Sequence, residues 1–238
     1  IFGNNITHEE VIRNMLTVDE GDAFNELLYK KTINNLKSMN FFSKVEDEIK
    51  TGNHKSQKII NITVDEKPTG EIMAGAGVGT SGANFAFGVK ENNFLGRGIS
   101  FGSDLSVSTE SIKGLISFKD PNYKGSNKSL NLSLESSSTD RMSTYGYESN
   151  KTGFTIGTGF EYYDSLFLNL GISSYLEKLT TDSSASASLK KQNGSYFDTF
   201  INYSFDYDMR NQKFQTSDGF RSKFIQNVPL FSDNYTLT

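Results

Sequence analysis

The stretch GFTIGTGFEYY, residues 153–163, followed by SLFLNLGISSYL, residues 165–176, decides the fold. In the first, Phe154, Ile156, Phe160 and Tyr162 stand against Thr155, Gly157, Gly159 and Glu161. In the second, Leu166, Leu168, Leu170 and Ile172 stand against Phe167, Asn169, Gly171 and Ser173. A period of two sends successive side chains to opposite faces of a strand. One face is therefore apolar and aromatic. The other carries groups that water can solvate.

The same period recurs on both sides of this stretch. ISFGSDLSVS (99–108) sets Ile99, Phe101, Leu105 and Val107 against Ser100, Gly102, Asp104 and Ser106. KSLNLSLES (128–136) sets Leu130, Leu132 and Leu134 against Asn131, Ser133 and Glu135. TFINYSFDYD (199–208) sets Ile201, Tyr203, Phe205 and Tyr207 against Asn202, Ser204, Asp206 and Asp208. Runs of about ten residues match the length at which a tilted strand crosses a bilayer. In lipid every backbone N–H and C=O must be paired, so such strands must close into a barrel. Tyr145, Tyr147, Tyr162, Tyr163, Tyr203 and Tyr207 fit an interfacial girdle. A soluble β-sandwich also alternates, but it needs a second sheet and usually carries fewer Gly and Ser on its outer face.

Composition changes at Pro68. Of the 30 Phe and Tyr residues, 25 follow it, as do 18 of the 21 glycines, while acidic and basic residues stay balanced throughout. That pattern marks a change of architecture rather than a disordered tail. No apolar run approaches the ~20 residues of a transmembrane helix. Cysteine is absent and the net charge is -4, with no basic block for nucleic acid. The chain starts at Ile1 without Met or an apolar leader. Any signal peptide is expected to have been removed or to lie upstream.

Residues 1–68 read as a small α+β module. Thr7 and Glu10 have capping-box spacing, and Val11, Ile12, Met15 and Leu16 form one helical face. A second helix is expected from Asn25 to Met39, with Leu27, Leu28, Thr32, Ile33, Leu36 and Met39 at helical spacing. Glu20-Gly21-Asp22 is the polar turn between them. FFSKVEDEIK (41–50) and KIINITVDEK (58–67) read as strands joined at Gly52-Asn53, with Ile60, Ile62 and Val64 on one side. Ile1-Phe2 would end an earlier strand. His8 and His54 are isolated, and no phosphate loop or metal-ligand spacing occurs.

The order strand, helix, helix, strand, strand resembles a POTRA domain, through Gly3-Asn4, VIRNML, EGD, LKSMNFF and the closing V-D-E-K-P. The junction VDEKPTGEIMAGAGVGTSG resembles the passage from a last POTRA domain into the first barrel strand of the BamA family. ENNFLGRG is similar to that family's asparagine-aromatic-Leu-Gly turn, and FKDPNY (118–123) to its Asp/Asn-Pro-Tyr strand end. DYDMRNQKFQTSDGFR resembles its Asp-x-Arg…Phe-Pro-Thr-x-Gly hairpin through Asp208, Arg210, Phe214, Thr216 and Gly219. Gln215 departs from the usual Pro. These motifs follow family order over essentially the whole chain.

The resemblance implies an α+β POTRA module at 1–68, its first strand truncated, then antiparallel transmembrane β-barrel strands at 69–238. About nine strands of an expected sixteen would be present, an incomplete barrel, since YTLT (235–238) lies inside a strand-like segment. It implies a bacterial outer membrane protein whose POTRA domain lies in the periplasm. Its work would be the assembly and insertion of β-barrel proteins, without an enzymatic step, metal or cofactor. Its partners would be the lipid bilayer, periplasmic lipoprotein subunits and unfolded outer-membrane substrates.

The first barrel strand is EIMAGAGVGTS, with Ile72, Ala74, Ala76 and Val78 on one face and Met73, Gly75, Gly77 and Gly79 on the other. Glycine weakens a strand through entropy and lost packing. Such a strand should unzip readily and offer an edge for β-augmentation, serving as the template of a lateral gate. The competing reading gives these glycines only the task of making room for curvature. Glu20 and Asp22 are candidates for pairing with a basic lipoprotein, or else form a plain solvated turn. A TamA-like assembly barrel would share the architecture. A passive porin normally lacks POTRA domains, and a barrel hydrolase needs a histidine that the barrel part does not have.

Overall fold

The computed structural model describes residues 1–54, 57–79, 82–210 and 216–233. It divides into two units, one of residues 1–71 with 90–101 and one of residues 72–89 with 102–238.

In the first unit, α1 (Glu9–Arg13) and α2 (Glu26–Ser38) precede β1 (Phe42–Thr51) and β2 (Lys58–Glu66). The Asn25 side chain accepts hydrogen bonds from the backbone N–H of Leu27 and Leu28 at 2.9 and 3.2 Å. It thereby satisfies two of the donors a helix start leaves free. β1 and β2 pair antiparallel from Phe42↔Glu66 to Thr51↔Lys58, the expected hairpin. Phe2 forms a parallel bridge to Thr63, as the end of a further strand would.

The core joins Ile12, Tyr29, Ile33, Leu36, Phe41, Phe42, Ile62 and Val64. Ile12, Leu36 and Val64 are essentially fully buried. Each such side chain contributes about 1.5–3 kcal/mol of burial. Two details correct the sequence reading. Leu27 and Leu28 are exposed, and the inward position is Tyr29, whose hydroxyl donates to Asp47 on β1. A tyrosine can join the apolar face because its polar tip has a partner. Burial, with help from Asp47, pushes the Tyr29 phenol above its ordinary pKa.

The capping box does not form either. His8 is the cap residue of α1 and makes no side-chain cap bond. The Thr7 hydroxyl has a tertiary partner instead, described below.

The second sheet contains β3 (Gly70–Gly79), β4 (Gly82–Phe94), β5 (Ile99–Ser108), β6 (Ser111–Asp120), β7 (Ser129–Arg141), β8 (Tyr147–Tyr163), β9 (Leu166–Thr181), β10 (Gly194–Asp208) and β11 (Arg221–Ser232). Its order is strictly sequential, β11 to β3, nine strands among the described residues. Short helices α3 (Met142–Tyr145) and α4 (Ala187–Lys191) sit in two connections. YTLT lies outside the described residues.

The registers turn alternation into continuous rows. Phe118, Leu132, Ile156, Ile172, Ile201 and Val228 are consecutive cross-strand partners from β6 to β11. The neighbouring row on the other face is Lys119, Asn131, Gly157, Gly171, Asn202 and Asn227. A strand rises ~3.3 Å per residue, so Leu166 to Leu176 covers ~33 Å along β9. At a tilt of ~35–45° this gives about 25 Å of height, the apolar band of an outer-membrane barrel. Polar pairs interrupt it, Ser136 with Thr152 at 2.9 Å being one. Ser174 and Thr199 share the apolar face as direct partners and hydrogen-bond each other at 2.9 Å.

Candidate functional site

β3 is a strand at the end of the sheet order, paired on one side only among the described residues. All ten of its residues are exposed, Ile72 at 75% and Val78 at 90%. A Cβ added at Gly75, Gly77 or Gly79 would meet nothing within 4 Å. The other glycines of the sheet differ: a Cβ at Gly114 in β6 would also meet nothing within 4 Å. A Cβ at Gly153 would fall 2.2 Å from the Tyr175 ring. At Gly75, Gly77 and Gly79 the strand carries no side chain and the space beside it is open. Met73 lies on the polar face, its methyl beside Gly88 and the Asp104 carboxylate. A concavity of about 640 Å³ adjoins it, lined by Met73, Gly75, Asp104, Lys113, Glu135 and Lys151 among others.

The start of β3 is held differently. The Thr69 hydroxyl donates to Glu91 Oε1, which also accepts the Asn93 N–H at 2.7 Å. The Thr69 carbonyl accepts from the Asn92 backbone N–H at 3.3 Å and from Asn92 Nδ2 at 3.2 Å. Asn92 Nδ2 also donates to Glu71 Oε1 at 3.2 Å.

Asn93 is buried, with a partner on each side of its amide. Its Oδ1 accepts the Gly98 N–H at 2.7 Å, and its Nδ2 donates to the Thr7 hydroxyl at 2.9 Å. A backbone N–H only donates, so the amide orientation is fixed. The turn between β4 and β5 places Leu95, Gly96 and Gly98 at positive φ. The Gly96 carbonyl accepts the His8 N–H at 2.8 Å, and a Cβ on Gly96 would sit 2.0 Å from the Ile6 carbonyl oxygen. Only glycine fits there.

Glu66 completes the cluster. Its Oε2 accepts from the N–H groups of Asn5 and Ile6 at 2.9 and 2.8 Å, and its Oε1 from Thr7 at 2.6 Å. Burial alone would raise its pKa. The Thr7 hydroxyl and these three N–H groups outweigh burial and hold the carboxyl below its ordinary value. Asn93 stands within ENNFLGRG and Glu66 within V-D-E-K-P, motifs that by themselves give neither residue a role. Asn93 meets Gly98 within its own motif, but Thr7 is 86 residues away and the donors to Glu66 are 59–61 away, and no local pattern encodes those pairings.

The other candidate residues lie apart from this cluster. In the acidic turn, Glu20 forms an exposed ion pair with Arg13 at 3.0 Å, and Asp22 Oδ2 accepts the Asp19 N–H at 3.0 Å. Gly21 takes a φ of +98°, which the turn requires. At the end of β10, Asp208 receives a bidentate pair from Arg210 at 2.8 and 2.7 Å. Gly219, at φ +90°, would place a Cβ 2.1 Å from the Met209 carbonyl oxygen, so this position too demands glycine. Thr216 is exposed, and Phe214 and Gln215 lie outside the described residues. Among the described residues no three His, Asp or Glu groups are placed to hold a metal. Among the described residues no helix is long and apolar enough to cross a membrane, which says nothing about strands.

Comparison with known proteins bears on this arrangement. The Omp85 superfamily domain matches residues 93–237. The POTRA family, described as a surface antigen variable number repeat, matches residues 1–67. The outer membrane protein assembly factor BamA of Neisseria meningitidis serogroup B is 26% identical over 162 residues, 67% of this chain and 20% of that protein. BamA of Buchnera aphidicola subsp. Acyrthosiphon pisum is 31% identical over 166 residues, 65% of this chain and 27% of that protein. The chain thus matches only about a fifth to a quarter of the length of these relatives.

Two solved structures share the fold. The crystal structure of BamA from Haemophilus ducreyi lacking POTRA domains 1–3 superposes with a TM-score of 0.76 at 23% identity. The match covers 98% of this chain and 48% of that one. CdiB from Acinetobacter baumannii gives a TM-score of 0.57 at 10% identity, over 94% of this chain and 44% of the other.

Proposed function

The chain belongs to the Omp85 superfamily, its strands in the bacterial outer membrane and its POTRA module in the periplasm, and from that premise we propose that it assembles and inserts β-barrel proteins, with β3 as the strand on which an incoming chain pairs. The observation that carries this reading is the state of β3. It ends the sheet and every residue is exposed. Gly75, Gly77 and Gly79 carry no side chain, and a Cβ at any of them would meet nothing within 4 Å. An open edge presents unpaired N–H and C=O groups that an extended segment can satisfy. Cross-strand side-chain pairs stabilise a sheet by roughly 0.2–1 kcal/mol each. Glycine supplies none, so a pairing made on Gly75–Gly79 relies mainly on backbone bonds and can be exchanged. The step is non-covalent and requires no cofactor.

An unfolded outer-membrane protein is the proposed substrate, the bilayer receives the product, and periplasmic lipoprotein subunits dock on the POTRA module. Glu20 and Asp22 are proposed as an acidic contact for a basic subunit. Arg13 already pairs with Glu20, so a partner's cation would compete for that carboxylate. Glu20→Lys should reduce co-purification of lipoprotein subunits; unchanged recovery would remove this assignment.

The test of the main reading is cysteine placed at Gly75 or Gly77. In cells with a stalled substrate carrying cysteine in its terminal strand, oxidation should give a disulfide-linked adduct in register. Normal assembly without any adduct would overturn the template role.

A further inference from the structure

The apolar face of β7 to β10 has a lysine at each end. On β9, Lys178 follows Leu176 by two positions and shares its face. Its cross-strand partners are Asn150 on β8 and Ser195 on β10, and Asn150 in turn pairs with Ser138 on β7. The row Ser138, Asn150, Lys178 and Ser195 therefore offers two hydroxyls, an amide and an ammonium on four neighbouring strands. At the other end, Lys128 precedes Leu130 by two positions and shares its face. Its Nζ lies 5.4 Å from the centre of the Phe160 ring, and Phe160 pairs with Leu168. A cation over an aromatic face is held by the ring quadrupole. On β7 to β10, no charged residue occupies this face between the two levels.

The two levels are one bilayer apart. Asn150 and Phe160 mark them on β8, ten residues from each other. That is ~33 Å along a strand, and about 25 Å of height at barrel tilt. The POTRA module leads straight into β3, and the strands follow one another in alternating direction. Lys128, just before β7, is thus at the periplasmic edge of the band, and Lys178, near the end of β9, at the opposite edge. Both side chains are exposed. The nearby carboxylates are engaged elsewhere. Glu148 Oε1, one row beyond Lys178, accepts from Asn150 Nδ2 at 2.7 Å, and Asp120 Oδ1, beside Leu130, accepts the Asn122 N–H at 3.0 Å. Among the described residues neither lysine forms an ion pair.

We propose that Lys178 and Lys128 bind phosphate groups of lipid headgroups, one in each leaflet, and so fix the depth at which the strands sit. A lysine can lay its stem on an apolar surface while its ammonium reaches the headgroup plane. There its three N–H donors meet the anionic oxygens that the protein does not supply. Around Lys178 the Ser138, Asn150 and Ser195 side chains can add hydrogen bonds to the same headgroup. A slide of the barrel in either direction would carry one of the two lysines into the apolar layer, so the pair opposes movement both ways.

The chain contains no tryptophan, so a single one reports its own surroundings. Leu176→Trp and Leu130→Trp place it beside Lys178 and Lys128 in turn, in the full chain folded in lipid bilayers. The bilayers are equal mixtures of phosphatidylcholine and phosphatidylglycerol, with one or the other brominated as a quencher. Brominated phosphatidylglycerol should be preferred about fivefold at both positions, the effect of one lysine at an anionic surface. Lys178→Gln should abolish the preference at 176 and leave it at 130. Lys128→Gln should do the reverse, and Lys178→Arg should keep both. Equal quenching by the two lipids in the native background would overturn the proposal, as would preferences unchanged by the glutamine variants. Exchanging chloride for inorganic phosphate at constant ionic strength should change nothing. Loss of the preference there would assign the lysines to a free anion and overturn the lipid assignment. No substrate is present, so these results are independent of the template role of β3.

Discussion

Ile172 stands directly opposite Ile201 in the β9–β10 ladder, and the row they share is apolar across six strands. A charge placed there faces lipid near the middle of the band. Ile172→Arg should cost roughly 2–4 kcal/mol of folding into bilayers. Asn227→Arg, in the adjacent row on the polar face, should fold normally. Denaturant titration of the two variants in lipid vesicles measures the difference. Equal stability would mean the faces are wrongly assigned.

That row was legible in the sequence because it depends on period alone. Each strand states its own alternation, and pairing in sequence order aligns the rows. The glycine-rich β3 was legible for a similar reason, since its composition is local. The Thr7–Asn93 bond was not. Thr7 and Glu10 have the spacing of a capping box, and only the fold reveals that the hydroxyl is taken by a residue 86 positions away. The outward Leu27 and inward Tyr29 were misread because hydropathy ranks leucine above tyrosine. It cannot register that Asp47 waits for the hydroxyl.

Ser174 and Thr199 should show energetic coupling. Each satisfies the other on a face that lipid covers, where an unpaired hydroxyl has no water to turn to. Ser174→Ala or Thr199→Val alone should cost about 1–2 kcal/mol, and the double replacement little more than either. A double-mutant cycle in vesicles checks this. Simple additivity would show that the hydroxyls find other partners.

Stability of the POTRA unit should fall in acid through Glu66. Its folded pKa lies below the ordinary 4.5, so the unfolded chain binds the proton first as pH falls. The stabilisation is complete above the unfolded value and is lost as pH drops through the folded one. Glu66→Gln should cost roughly 1–3 kcal/mol at neutral pH, because an amide nitrogen would face N–H donors. It should also flatten the acid limb. Denaturation of the intact chain, followed by the far-UV helical signal across pH 2–7 (approximate range), reads both effects. An unchanged acid limb in the variant would assign the pH dependence elsewhere.

Substitution of the glycines separates the two readings of β3. Gly75→Ala and Gly77→Ala introduce a Cβ that meets nothing, so both variants should fold. Alanine removes the entropic weakness of glycine, stiffening the strand by about 0.5–1 kcal/mol per site. If the chain paired on the edge of β3 must be exchanged, that stiffening should slow exchange at residues 75–79 and reduce assembly of substrate barrels in cells. Gly153→Ala is the contrasting case, since its Cβ would collide with Tyr175 and with the Ser174 carbonyl oxygen. That variant should fold poorly whatever β3 does. Should the alanines at 75 and 77 instead abolish folding, the glycines serve backbone curvature, and the weakness of β3 is a by-product of shape rather than the basis of its function.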